Sequence, residues 1–208
     1  IKAGDFQEAA NYFAKLEAIA RSKRQENEAW VGLLDAYFKL GNYDQMRTYA
    51  NNILTKGNIS QDATNRAQLY LAKAAYSEGN FDEAIDQLLT TINSAQDQYG
   101  AEAQFLLGQI FYQQKRHQES LNTLFEFSES FADYESWLGK AFLLVADNYI
   151  ALDELFQAKG TVKSIIDNSS IKIVVDEARK KLILIEKMEM DLQKASVQDT
   201  IQNRGGNQ

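Results

Sequence analysis

The side chains that could do chemistry in this 208-residue chain are few and scattered. A single histidine, His117, would have to act alone, because there is no second imidazole and no cysteine to share a metal or build a nucleophile pair. Carboxylates are plentiful, and three pairs stand close in sequence: Asp82/Glu83, Asp133/Glu135 and Asp176/Glu177. Each pair lies at or near the start of a predicted helix, where a carboxylate favours the positive end of the helix dipole. That solvated, helix-starting role accounts for all three. No glycine-rich loop is present to cradle a phosphate; Gly4, Gly41 and Gly79 stand singly at predicted turns that need a positive φ. The sequence therefore predicts no catalysis, no cofactor and no metal site.

The elements that carry these residues follow from a phrase repeated five times, beginning at Gly4 (GDFQEAA), Gly41 (GNYDQMR), Gly79 (GNFDEAI), Lys115 (KRHQESL) and Asp153 (DELFQAK). The starts are 37, 38, 36 and 38 residues apart, a period that marks repeats of a helix pair rather than one globular core. Around each phrase, apolar residues recur at three- and four-residue steps, as in Trp30, Leu33, Tyr37 before Gly41 and Tyr43, Met46, Ala50, Ile53 after it. Two amphipathic helices closed into a hairpin give this pattern. His117 falls in the slot that its sister repeats fill with Phe6, Tyr43, Phe81 and Leu155, so it reads as a packing residue.

Composition narrows the partners. With 22 basic and 29 acidic residues the net charge is −7, which argues against attraction to nucleic acid or anionic lipid. No run approaches the roughly 18 uncharged apolar residues of a membrane span, so no segment is expected to insert in a bilayer. Proline is absent, leaving the turns to Gly, Asn, Asp and Ser.

The aligned repeats resemble the tetratricopeptide repeat, whose helix A carries an aromatic-x-x-Leu-small motif and whose helix B carries a small residue just after the turn. Here the small slot of helix A holds Ala72, Gly108 and Ala146, and that of helix B holds Ala9, Ala84, Ser120 and Ala158. Small residues at both slots let helix axes approach closely. Leu34 and Met46 break the rule in the second repeat, whose hairpin is expected to splay or repack. The resemblance implies an all-α, right-handed solenoid of antiparallel helix hairpins over residues 1–195. It comprises a half repeat (1–22), repeats at about 27–58, 65–96, 101–132 and 139–170, and a capping helix at about 171–195. Residues 196–208 lack periodicity and read as a disordered tail. In the opening half repeat, Phe6, Ala9, Phe13 and Leu16 face a helix expected upstream, and the terminal helices leave room for self-association. Lys172, Arg179, Lys180, Lys181, Glu186 and Lys187 are expected to make the outer face of the capping helix polar. The long period resembles tetratricopeptide proteins of the gram-negative envelope, which implies a periplasmic or outer-membrane-associated place over a cytoplasmic one.

In the family the concave surface is built from helix A, and the resemblance places two apolar rows there. The first is Val31, Leu69, Phe105 and Leu143; the second is Phe38, Tyr76, Tyr112 and Ile150. Between them lie Asp35, Lys73, Gln109 and Asp147, with Glu28, Arg66, Glu102 and Lys140 one turn earlier. Val31 and Asp35 stand where chaperone-binding members need Lys and Asn of their carboxylate clamp, so an apolar or mixed-charge peptide or helix is the expected ligand. The implied function is a noncatalytic protein-binding scaffold within a longer protein. The alternatives are a structural spacer or oligomerisation module, and an accessory domain of an enzyme whose catalytic part lies upstream.

Overall fold

The computed structural model describes residues 3–56 and 59–205, with side chains from Gly4 to Ala195. The described residues form helices only: α1 (Ala3–Ile19), α2 (Lys23–Leu40), α3 (Tyr43–Thr55), α4 (Gln61–Ser77), α5 (Phe81–Ser94), α6 (Gln98–Gln113), α7 (His117–Ser130), α8 (Glu135–Ala151), α9 (Leu155–Asn168) and α10 (Lys172–Gly205). This is the all-α solenoid of helix hairpins that the periodicity predicts. None of these helices is long and apolar enough to cross a membrane.

The repeated phrase is one turn made four times. Helix A ends with a residue in the left-handed region, Gly41 (φ 70°), Gly79 (φ 81°), Lys115 (φ 60°) or Asp153 (φ 59°). The next amide then reaches back across the turn: Asn42 N to Tyr37 O, Asn80 N to Ala75 O, Arg116 N to Phe111 O and Glu154 N to Tyr149 O, all at 2.8–3.0 Å. This double closure of the last carbonyls works with or without glycine. Gly4 is different from the expectation, since it lies within α1 and not in a positive-φ turn.

The A helices α2, α4, α6 and α8 start three or four residues earlier than the apolar pattern suggests, and polar caps fix the first three. Ser22 Oγ accepts from Gln25 N and Ser60 Oγ from Ala63 N, both at 3.3 Å, while Asp97 Oδ1 accepts from Tyr99 N at 2.8 Å. Each cap satisfies an amide that the first turn leaves without a partner.

The chain divides into two compact units, Ile1–Leu107 and Gly108–Gln208. In the first, α2 packs on α1, α3 and α4, and α4 packs on α5. Leu34 and Met46 are both fully buried, and the room they need comes from Ala63, Ala67 and Ala74 on α4. The hairpin is thus repacked against its neighbour. The outer half of α1 is used as well: Phe13 lies so close to Gly32 that a Cβ there would sit 2.4 Å from the ring. Phe6, Ala9, Phe13 and Leu16 are half-buried, and the large apolar side chains of α1 that are exposed are Tyr12 and Ile19.

In the second unit α8 packs on α7, α9 and α10. Ala146 and Ala158 are both wholly buried in the small slots. Gly108 needs its missing side chain, since a Cβ would approach Leu124 to 2.7 Å, and its carbonyl accepts from Ser120 Oγ at 2.8 Å. α10 buries Val174, Ala178 and Ile185. Two expectations for this helix need correction. It does not stop near 195 but continues through Gly205, because no proline or glycine interrupts residues 172–204; residues 206–208 lie outside the described set. Its outer face is not purely polar either, for Ile173, Ile183 and Leu184 are exposed and Lys181 turns inward to Asp147.

Candidate partner-binding surface

The two apolar rows separate once burial is known. Leu69 is fully buried and belongs to the core, which removes it from the candidate surface. Val31, Phe105 and Leu143 stay half-buried. The second row, Phe38 and Tyr76 in the first unit and Tyr112 and Ile150 in the second, is half-buried throughout. Its inner edge is occupied by the residue that opens helix B. Phe38 meets Tyr43 at 6.3 Å between ring centroids, Tyr76 meets Phe81 at 5.9 Å, and Tyr112 meets His117 edge-on at 5.5 Å. In these three hairpins the row thus fastens helix A to helix B, and its remaining flank stays at the surface. Burial raises the Tyr112 pKa, with the Asp147 charge adding to it.

The charges between the rows are largely spent on each other. Arg66 on α4 reaches Asp35 on α2 at 2.7 Å and donates from Nε to the Tyr99 hydroxyl at 2.9 Å. Lys73 on α4 meets Glu102 on α6 at 2.7 Å and lies 5.2 Å from the Phe38 ring centre. Asp147 on α8 pairs with Lys181 on α10. Each pair joins one A helix to the next, about one period further along the chain. The alternating signs therefore serve helix stacking before any mixed-charge ligand, which the sequence alone did not reveal. Gln109 remains half-buried on α6, and Lys140 lies over the Trp137 ring at 3.9 Å.

His117 takes part in a closed hydrogen-bond chain. Asn148 donates from Nδ2 to Ser120 Oγ and to Leu144 O, both at 2.9 Å, which leaves its Oδ1 to accept from His117 Nδ1 at 3.0 Å. The Nδ1 of His117 thus has a structural task, in keeping with the packing role read for this residue.

Sequence reasoning missed a cleft of about 1060 Å³ in the first unit. Phe6 and Phe13 of α1, Trp30 of α2, Tyr70 of α4 and Tyr99 of α6 supply its rings, and Val31 and Asp35 are the expected groove residues that line it. Phe38 stacks on Tyr70 beside it, with centroids 3.9 Å apart. One wall is fixed by Glu17, whose carboxylate accepts from Trp30 Nε1 at 2.9 Å and from the Tyr49 hydroxyl at 3.0 Å. Burial, then that hydrogen bond, pushes the Tyr49 pKa up to about 12. Burial likewise raises Tyr70, with Asp35 contributing. The cleft draws on residues about 93 positions apart, Phe6 to Tyr99, and no local pattern announces it.

Comparison with known proteins gives a consistent picture of the fold. The sequence profile of the tetratricopeptide repeat matches residues 1–58, 47–99 and 71–126. Among solved structures, the crystal structure of BtubC (BKLC) from P. vanneervenii superposes with a TM-score of 0.70 at 14% identity, over 94% of this chain and 85% of that one. No curated protein matches the sequence.

Proposed function

The chain belongs to the tetratricopeptide repeat family, whose repeats generally mediate protein–protein interaction, and from that premise we propose that it is a noncatalytic scaffold. It binds a peptide or helix of a partner along the A helices, through Val31, Phe38, Tyr76 and Phe105 with Asp35 and Lys73 in the first unit, and through Tyr112, Leu143 and Ile150 with Gln109 and Asp147 in the second. The observation that supports this most directly is the second row. Three aromatic rings and an isoleucine recur one period apart, and none is taken fully into the core. Half-exposed aromatics of this kind are favoured anchors at interfaces.

A selection from a random peptide display library tests the reading. Wild type is expected to enrich a sequence motif, and Tyr112→Ala to bind the selected peptide at least tenfold more weakly, since central aromatic anchors commonly carry about 2 kcal/mol or more. Because Tyr112 also touches His117, a modest fall in Tm is expected. A folded variant that binds as well as wild type moves the site away from this row.

One observation favours a second reading, a self-associating module. Ile183 is 69% exposed and Ile173 78% exposed on the outer face of α10. Sedimentation of wild type beside Ile183→Glu decides: a mass above the monomer that the variant loses supports self-association, and a monomer in both rejects it.

A further inference from the structure

The cleft of the first unit has a charge that the chain as a whole does not. Five cations line it, Lys23, Arg24, Lys39, Lys56 and Arg66, against the carboxylates Glu28 and Asp35. Arg66 is held by Asp35 and Asp62, and Lys23 by Glu26. Arg24, Lys39 and Lys56 have no carboxylate partner among the described residues; Lys56 lies 4.5 Å from the Trp30 ring centre and Lys39 lies 5.9 Å from that of Phe38. Among the described residues, three cations without a carboxylate partner therefore line the cleft beside one carboxylate without a cation partner, Glu28, in a protein whose net charge is −7. Behind them stand aromatic walls.

We propose that this cleft seats an acidic segment of a partner protein, with one aromatic or aliphatic residue inserted among Phe13, Trp30 and Tyr70 and its carboxylates meeting Arg24, Lys39 and Lys56. The inference rests on the scaffold reading and specifies the partner's chemistry. An apolar anchor gains by displacing water from the rings, while the cations at the mouth select the sign of the flanking residues and speed the encounter. The volume, about 1060 Å³ and open to solvent, exceeds what a small metabolite fills and suits a short peptide stretch. Arg24 and Lys39 occupy opposite ends of α2, 15 residues apart, so at 1.5 Å per residue an occupant spanning both runs about 22 Å, roughly 7 residues if extended. A nucleic acid also carries negative charge, but the acidic remainder of the chain opposes a polyanion much longer than the cleft.

Fluorescence polarisation with the full chain tests this. The probes are labelled synthetic peptides of about 12 residues: Glu-rich with Phe and Leu at every third or fourth position, the same with Lys for Glu, the same with Gln for Glu, and an all-Glu peptide. A single-stranded oligothymidylate of similar length is the fifth. The Glu/Phe/Leu peptide is expected to bind best, with Arg24→Glu/Lys39→Glu weakening it at least tenfold and Lys187→Glu, which makes the same charge change on α10, leaving it unaltered. Both altered positions are exposed, and circular dichroism confirms that the variants fold. Preference for the Lys or Gln peptide overturns the acidic assignment and leaves the scaffold reading standing. Equal binding of the all-Glu peptide removes the anchor, and tighter binding of the oligothymidylate makes the partner a nucleic acid. Self-association in sedimentation that Arg24→Glu/Lys39→Glu abolishes makes the occupant a second copy. Failure of every peptide tells against both readings.

Discussion

Glu17 shows how much one side chain can organise, since it receives the indole of Trp30 from α2 and the hydroxyl of Tyr49 from α3 while sitting on α1. Deprotonating Tyr49 would set two negative groups 3.0 Å apart. Its folded pKa, about 12, lies above the ordinary tyrosine value near 10. The stability that this bond contributes is therefore complete below about pH 10 and is lost as the pH rises toward 12. Tyr49→Phe is expected to be less stable than wild type by about 1 kcal/mol at pH 8, and urea titrations should show the gap closing above pH 10. A constant gap would mean that the hydroxyl is not coupled to Glu17. Met46 offers a second residue-scale measure. The sequence marks it as an intruder in a small slot, yet it is fully buried against alanines. Met46→Ala should cost about 2–5 kcal/mol by chemical denaturation, as expected for emptying a filled core site. A loss below 0.5 kcal/mol would show that the hairpin collapses around the vacancy.

Among the elements, the hairpins were legible because everything that makes them is local. The small slots, the apolar spacing and the turn phrase all lie within one period, and Ala146 with Ala158 and Gly108 with Ser120 meet as the alignment predicts. Contacts between repeats were not legible. Arg66 meets Asp62 one turn away on its own helix, but its bridge to Asp35 exists only because α2 stacks on α4. Leu69 and Phe105 occupy equivalent slots, yet one is core and the other half-buried, because burial depends on the neighbouring helix rather than on the slot. The turns carry their own test. Lys115 holds φ 60° where two sister turns have glycine, and it is exposed. Left-handed backbone costs a side-chain-bearing residue about 1–2 kcal/mol, partly offset by the unfolded-state freedom of glycine. Lys115→Gly should stabilise by about 0.5–1 kcal/mol, read as a higher urea midpoint at unchanged m-value. A lower midpoint would mean that the lysine makes a contact worth more than its strain.

For the whole molecule, each unit has its own buried cluster: Trp30, Leu34, Met46 and Ile53 in the first, Ala146, Val162, Val174 and Ile185 in the second. Repeat arrays are stabilised by neighbours alone, so a lesion in one cluster should stay there. Leu34→Ala is expected to lower amide-exchange protection through α2, α3 and α4 while α8, α9 and α10 keep theirs; an equal drop in all six would show the chain opening as one body. The indole environments give this division a colour. The chain has two tryptophans, and one falls in each unit. Trp30 is 2% exposed and bonded to a carboxylate, whereas Trp137 is half-buried beneath Lys140. An indole shut away from water emits toward the blue and a solvated one toward the red, so replacing either with phenylalanine leaves a protein whose fluorescence follows a single half, without any added dye.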